Sequence, residues 1–352
     1  MNFDKYRICE IIKDKLQHYG TKVISKLGPV VNPLLINHKK EDNHLLIFYF
    51  HGLFESMNQR ALNHVDPQHN MLVNQFDEFL DYFLNHGYKF IKSEDLLTGI
   101  EENQRYAMIT FDDGYFNSMP ALEITNKYKI PGIYFLTTSN IIENKSYWWD
   151  IVYKYRHKQG NSLEAIGKEQ SFLKGFKHPE IEKYIIQNFG IKSFEPWSDI
   201  DRPFSPDEVR YVSESPFSTI GNHTQNHAIL TNYEEEGIKE EIMDSNKILF
   251  ELTGKLPNDI AFPNGNYNKQ ILELTEQLGF RFAFTTDPGK NRIRPSNKNL
   301  ICLKRLMTTT TDIKEIGSFY RLGANPDTVY SDVKGQVTFL AKAIMLMRVM
   351  RK

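Results

Sequence analysis
Cysteine is nearly absent from this chain. Two occur in 352 residues, Cys9 and Cys302. Two cannot build a disulfide framework or a thiolate metal cluster, and such usage points to a reducing compartment. A surplus of charge is absent too. Lys and Arg total 43 against 44 Asp and Glu, a formal net charge of -1, so the chain as a whole gives no electrostatic reason to expect a nucleic-acid partner. Long hydrophobic runs are missing: no stretch approaches 18 uncharged apolar residues, the length a spanning helix needs. The opening "MNFDKYRICEIIKDKLQ" is charged throughout and lacks the apolar core of a secretory signal. The expectation is a cytoplasmic protein. No internal repeat and no low-complexity segment interrupts it.

What is present is ordinary globular material, 40% hydrophobic, 25% charged and 13% aromatic. Short apolar runs alternate with helical patterns, the signature of an α/β fold. "LLIFYF", "YAMITF", "GIYFLT", "STIG", "DIAF", "FRFAFT" and "ICLKRL" read as seven strands. Between them, helical spacing appears at Leu72, Phe76, Phe79, Leu80 and Phe83, in "PALEITNKYKI", in "YEEEGIKEEIMDSNKILFELTG" and in "KQILELTEQLG". Seven strands with interposed helices fit a β/α barrel or a doubly wound sheet. Residues 144–216, beginning "NKSYWWDIVYKYRHK", break the alternation and read as a helical, aromatic-rich insertion.

The polar residues cluster where strands end. His51 follows the first strand, Asp112 and Asp113 the second, His223 and His227 the fourth, and "PNGNY" the fifth, while Arg305 falls in the last strand. Parallel β/α architectures gather those ends on one face, where catalysis occurs. The pattern therefore delivers a carboxylate pair and three histidines to one place, and this argues for an enzyme.

Each piece has a plainer explanation. With 11 histidines, a pair four apart arises by chance roughly 0.3 times in such a chain. Asp-Asp-Gly is also an ordinary turn. Context favours chemistry. The pair is expected to open a helix straight after a strand, where one turn presents both rings on one side. Two neutral imidazoles and a carboxylate make a three-ligand Zn²⁺ site with an open position. Adjacent strand-end carboxylates point in different directions, so one Asp can hold the metal while the other acts as a base.

These residues resemble the polysaccharide deacetylase family, the NodB-like carbohydrate esterases of family 4. "TFDDGY" looks like its first motif, "HTQNH" its second, and "FPNGNY" a variant of its "YPYG" motif. The resemblance runs from about Leu45 to Leu306, interrupted by the insertion. It implies a deformed (β/α)7-type barrel and a hydrolase that removes acetyl groups from N-acetylated sugars with a divalent metal, Zn²⁺ being the first choice. Carried over by position, Asp113, His223 and His227 are the metal ligands, Asp112 is the general base, and the backbone N–H near Asn264 helps hold the oxyanion. The chain departs from the family in three ways. Asn264 replaces a commoner aromatic or arginine, no histidine follows "ICLKRL" to serve as general acid, and the insertion is large. Arg305 stands in the neighbourhood of the missing histidine, placed to keep Asp112 ionised. His51 resembles the strand-end acid of a subgroup with rearranged motif order.

Two rivals stand beside this reading: a metal-dependent amidohydrolase of a small non-sugar amide, and a non-catalytic carbohydrate-binding relic. Trp148, Trp149, Tyr153 and Tyr155 could stack on sugar rings or simply pack a helix, since "WWDIVYKY" has helical spacing. The domain expectation is a helical extension over 1–44, a catalytic domain over 45–335 and a basic amphipathic helix over 336–352. That last helix, with Val337, Leu340, Ala341, Ile344 and Met347 on one face and Lys342, Arg348, Arg351 and Lys352 as its charges, suits peripheral contact with the inner face of a membrane. It would match an enzyme of surface-glycan or lipid-linked sugar assembly.

Overall fold
The computed structural model describes residues 44–322 apart from 68–70, 99, 102, 293–299 and 309–312. The expected N-terminal extension before residue 44 and the amphipathic helix over 336–352 lie outside the described residues. So does Cys9, while Cys302 is exposed. Among the described residues, no helix is long and apolar enough to cross a membrane.

In chain order the elements are β1 (His44–Phe50), α1 (Val73–Asn85), β2 (Tyr88–Phe90), β3 (Arg105–Phe111), α2 (Met119–Tyr128), β4 (Gly132–Leu136) and α3 (Thr138–Glu143). Helices α4 (Trp148–Lys158), α5 (Leu163–Leu173), α6 (His178–Phe189) and α7 (Pro206–Glu214) follow. Then come β5 (Ser218–Asn222), α8 (Glu235–Thr253), β6 (Asp259–Ala261), α9 (Lys269–Gln277), β7 (Phe282–Phe284), β8 (Asn291–Arg292), β9 (Ile301–Leu303), β10 (Leu306–Met307) and α10 (Ile313–Arg321).

The main sheet runs β10-β1-β3-β4-β5-β6-β7-β9, with every neighbouring pair on this path parallel. Its two ends are joined by only Lys304 and Arg305. The stretch that reads as one strand, "ICLKRL", is therefore a broken strand: Ile301–Leu303 pairs with β7 and Leu306–Met307 pairs with β1. The break rolls the path into a nearly closed barrel and places Arg305 at the seam instead of inside a strand. Two short strands fall off the path. β2 pairs with β3, and β8 runs antiparallel to β1.

Period-two alternation sorts the barrel strands. In β1, Leu46, Phe48 and Phe50 pack outward on Phe76, Phe79, Leu80 and Phe83 of α1. These rings meet edge to face, as in Phe48–Phe79 at 4.9 Å and 88°, and each buried Phe contributes about 1.5–3 kcal/mol. Leu45 and Ile47 face inward with Tyr106, Met108, Phe135 and Phe284. Continuing the same inward alternation, Ile47 of β1 is followed by Tyr49 and His51, and Met108 of β3 by Thr110 and Asp112. The strands thus carry apolar side chains through the barrel and end on polar ones at its mouth.

The insertion forms its own core from α4, α5 and α6, with Trp148, Trp149, Ile151, Ile166 and Ile185. It is narrower than 144–216. Phe204 and, in α7, Val209 and Val212 belong to the barrel's outer cluster, so α7 is the helix that leads the barrel into β5. Composition alone could not show this, because α7 is as charged as its neighbours.

Candidate metal centre and active site
Asp112 continues the strand. Its N–H donates to Phe50 O at 2.8 Å, in step with the β1–β3 pairing, so its side chain keeps the inward direction. The chain then reverses. Asp113 has φ 72° and Gly114 φ 93°, a left-handed pair that Asp and Gly adopt most easily. The reversal swings the Asp113 carboxylate away from that of Asp112. Tyr147 Oη and Thr137 N both donate to Asp113 O, at 2.9 and 3.1 Å, and fix the turn.

The histidine pair reaches the site differently from expectation. Residues 223–229 form no helix. The HTQNH stretch is a tight loop with Thr224 at φ 65° and His227 at φ 50°, and it curls both rings toward one point. Its polar groups are already committed to non-helical partners. Thr224 N donates to Asn222 Oδ1, Ala228 N to Thr224 Oγ1, Asn226 N to Glu241 Oε2 and Gln225 N to Glu241 O. Short polar side chains that bond nearby backbone compete with helix in this way. Glu241 of α8 is the anchor, and nothing in the sequence motif announces it.

Asp113 Oδ1 lies 3.3 Å from His223 Nε2 and 3.3 Å from His227 Nε2. His223 Nδ1 sits 2.8 Å from Ala261 O. A ring nitrogen facing a carbonyl carries the hydrogen, so Nε2 is the nitrogen of His223 turned to the carboxylate and the one placed to bind an ion. Asp113 Oδ1 is buried and accepts no hydrogen bond. Burial also lowers the pKa of His227, despite the opposing pull of Asp113, which favours the neutral ring. Buried acceptors converging without a donor is an unfavourable arrangement by itself. A cation resolves it. These three residues are the candidate metal-binding group among the described residues, with ligand atoms within 4.8 Å of one another. Four ligands at about 2.1 Å around a tetrahedral Zn²⁺ stand about 3.4 Å apart, so the donor set and its spacing fit such an ion. The His223–Ala261 contact supplies the second-layer hydrogen bond that metal-binding imidazoles ordinarily have.

Asp112 is treated quite differently. Arg305 grips it with two bonds, Nη1 to Oδ1 at 2.6 Å and Nη2 to Oδ2 at 2.8 Å. Arg305 is 0% exposed. It also donates to Thr110 Oγ1 at 3.1 Å and from Nε to Thr285 O at 3.0 Å, and its guanidinium lies 4.7 Å from the Tyr49 ring. Burial would raise the Asp112 pKa, but the charge and hydrogen bonds of Arg305, together with the nearby His223 and His51, outweigh it and leave the carboxyl below its usual range. Tyr49 is pushed up to about 12 by burial, so its hydroxyl stays protonated. The sequence motifs include neither Tyr49 nor Thr110. Stepping back two residues from His51 and from Asp112 along the strand pattern finds both.

His51 Nε2 is 4.0 Å from the second Asp113 oxygen, Oδ2. Burial lowers the His51 pKa against the pull of Asp113 and Asp112, so its ring is neutral at pH 7. The following turn requires Gly52, because a Cβ there would lie 1.8 Å from Asn117 Oδ1. Leu53 N donates to Asn117 O, tying the His51 turn to the segment after the carboxylate pair. Asn264 is exposed and left-handed at φ 56°, three residues beyond the carbonyl that orients His223, with its amide bonded to Asn266.

A family model described as polysaccharide deacetylase matches residues 99–283, just over half of the chain. The chain belongs to the polysaccharide deacetylase family. The matched span includes Asp112, Asp113, His223, His227 and Asn264, whereas His51 and Arg305 lie outside it. A curated Bacillus subtilis (strain 168) protein, YxkH, whose own assignment as a polysaccharide deacetylase is provisional, is 30% identical over 71 residues. That match spans 20% of this chain and 25% of the relative's length. Among solved structures, the fold is similar to a polysaccharide deacetylase from Bacillus cereus, with TM-score 0.53 and 18% identity over 79% of this chain and 69% of that one. It is also similar to IcaB from Ammonifex degensii, with TM-score 0.51 and 17% identity over 80% of this chain and 97% of that one.

In this deacetylase-family chain the insertion leans on the metal candidate. Trp149 packs on His227 with ring centroids 4.5 Å apart. Its Nε1 donates to Tyr115 Oη at 2.9 Å, and Tyr115 Oη donates to Asp150 Oδ2 at 2.6 Å. Trp148 and Trp149 are each 7% exposed and Tyr153 2%. Tyr155 packs on Phe189 and Trp197. The aromatic run is therefore mostly packing, with the two tryptophans keeping an edge toward a cleft beside His227.

Proposed function
We propose that this chain is a metal-dependent N-deacetylase of an N-acetylated sugar. Membership of the family implies carbohydrate deacetylation. The metal dependence and the residue roles are supported by one observation above all: Asp113 Oδ1, His223 Nε2 and His227 Nε2 converge as buried acceptors beside an Asp112–Arg305 pair.

Asp113, His223 and His227 would hold the ion. Bound there, a divalent cation would supply polarisation of the acetyl carbonyl and would bring the pKa of water from 15.7 toward about 7. Asp112, kept ionised by Arg305, accepts a proton from the attacking water. Each of its oxygens has lone-pair capacity left after bonding Arg305. A base with so low a pKa is weak, and it is effective only toward a water made unusually acidic. His51 starts neutral, so the proton it gives to the departing amine must be one it gains during the reaction. It takes the remaining proton of the incoming water and delivers it to the nitrogen, which would otherwise leave as an amide anion. The N–H near Asn264 is the proposed backbone donor to the oxyanion. Acetate and a free amino sugar result.

The test is acetate release from N-acetylated mono- and oligosaccharides set against small linear and cyclic amides. Release from the sugars supports the reading. Turnover of the small amides alone would establish the amidohydrolase alternative, and saccharide binding with no release would establish the relic.

A further inference from the structure
The two histidines of the metal candidate are held in different ways. His223 is oriented by a hydrogen bond, its Nδ1 lying 2.8 Å from Ala261 O. Metal-binding imidazoles ordinarily have such a partner on the nitrogen turned away from the ion. For His227, Nε2 faces Asp113 Oδ1 at 3.3 Å, and no described residue hydrogen-bonds its Nδ1. Its backbone is left-handed at φ 50°, a conformation that persists in a residue other than glycine only where the surroundings impose it. A contact of another kind must fix this ring.

Trp149 makes that contact. It lies in the first turn of α4, and its indole packs on the His227 ring with centroids 4.5 Å apart and planes at 52°. The indole is itself fixed. Tyr147 stacks on it at 4.9 Å and 22°. Its Nε1 donates to Tyr115 Oη at 2.9 Å, and that hydroxyl donates to Asp150 Oδ2 at 2.6 Å. Asp66 N donates to the other Asp150 oxygen at 2.7 Å. A buried ring whose one donor is engaged has a single orientation, and it imposes that order on the imidazole it covers. The same aromatic cluster reaches the carboxylate of the candidate, because Tyr147 Oη donates to Asp113 O at 2.9 Å.

We propose that Trp149 is a positioning residue of the metal centre, orienting His227 by ring packing where His223 is oriented by a hydrogen bond. This rests on the reading of Asp113, His223 and His227 as metal ligands. The insertion is then part of the frame of the metal centre, since Tyr115, Tyr147 and Trp149 connect Asp113 and His227 to α4. Coupling between two sites is reciprocal, so an ion held by His227 steadies α4 in turn.

The test is the zinc affinity of the full chain, read by competition with a fluorescent chelator. Trp149→Leu keeps the position apolar but removes the flat face. It should weaken zinc at least about ten-fold, the usual loss when the partner that orients a metal ligand is removed. Trp149→Phe restores a ring face and should recover most of that loss. Trp148→Leu is the control. Trp148 is as buried as Trp149, each 7% exposed, but its ring meets Trp149 edge-on and not His227, so this variant should keep the parent's zinc affinity. Zinc should also slow amide hydrogen exchange across α4 in the parent. Parental zinc affinity in folded Trp149→Leu would overturn the proposal. So would equal losses in Trp149→Leu and Trp148→Leu, which would make Trp149 ordinary core, or exchange across α4 that ignores zinc. Normal zinc affinity with a raised KM for acetate release would make Trp149 a substrate contact instead. Should Trp149→Leu not fold, Tyr115→Phe decides. It keeps the packed rings, strands the indole donor and should still lose part of the zinc affinity; an unchanged affinity there overturns the proposal. A parent that takes up no zinc overturns the metal centre itself, whereas a parent that binds zinc no better than Trp149→Leu overturns this inference alone.

Discussion

Replacing Arg305 by Met tests how the barrel mouth is held together. Arg305 and Asp112 are 0% and 5% exposed at their side chains, so water does not screen their interaction. The variant removes both bonds to Asp112 and those to Thr110 and Thr285, while Met preserves most of the volume. Truncating one member of a buried pair costs about 3–5 kcal/mol, because the remaining charge is left without compensation. The stranded carboxylate should then regain its proton more readily, since burial alone raises its pKa. Denaturant unfolding at pH 7 should show Arg305→Met destabilised by about 3–5 kcal/mol. Adding Asp112→Asn should return about 1–3 kcal/mol, since the charge without a partner is gone. A non-additive double-mutant cycle of that size is the expected signature. Arg305→Met as stable as the parent, or a strictly additive cycle, would refute the view that this pair anchors the site.

Other outcomes follow from the same geometry. Asp112→Asn should retain metal but lose about 10²–10⁴-fold in turnover, the usual worth of a general base, whereas Asp113→Asn should bind metal poorly; identical metal loss in both would merge the two roles. His51→Ala should keep its metal and slow amide cleavage more than cleavage of an activated ester, whose leaving group needs no proton, and equal slowing would remove His51 from amine protonation. Asp259 lies at the opposite end of β6, its pKa raised by burial from 3.8 to about 7 with one oxygen unpartnered. A carboxyl raised in the folded state costs nothing below pH 4 and progressively destabilises the fold as pH climbs from about 4 to about 7, by at most about 4 kcal/mol at 1.36 per unit. Asp259→Asn should therefore remove a loss of stability between about pH 4 and 7, read by thermal melting; parallel melting profiles for parent and variant would contradict it.

Much of the site is visible in the sequence because strand ends in a parallel barrel share one face. Once the apolar runs are placed, His51, Asp112, Asp113 and His223 follow by counting. What stays hidden depends on long-range or left-handed geometry. The break at Lys304–Arg305 is invisible, since "ICLKRL" has the composition of one strand and only its two different partners divide it. The His223–His227 spacing fits a helix equally well, and the loop wins because Glu241, well downstream, satisfies its backbone. The limit of the insertion at α7 is a matter of which core Val209 and Val212 join. The aromatic run "WWDIVYKY" reads as a sugar platform or as core, and the structure gives most of the ring area of Trp148, Trp149 and Tyr153 to core.

The most direct measurement is a metal titration of stripped protein, with bound zinc and acetate release followed together in the parent and in His227→Ala. The parent should take up one equivalent of zinc and release acetate from an N-acetylated oligosaccharide in proportion to the metal bound, while His227→Ala remains folded, loses stoichiometric zinc and releases almost none. Full acetate release from metal-free parent protein, or stoichiometric zinc in His227→Ala, would contradict the assignment of Asp113, His223 and His227 as the metal centre.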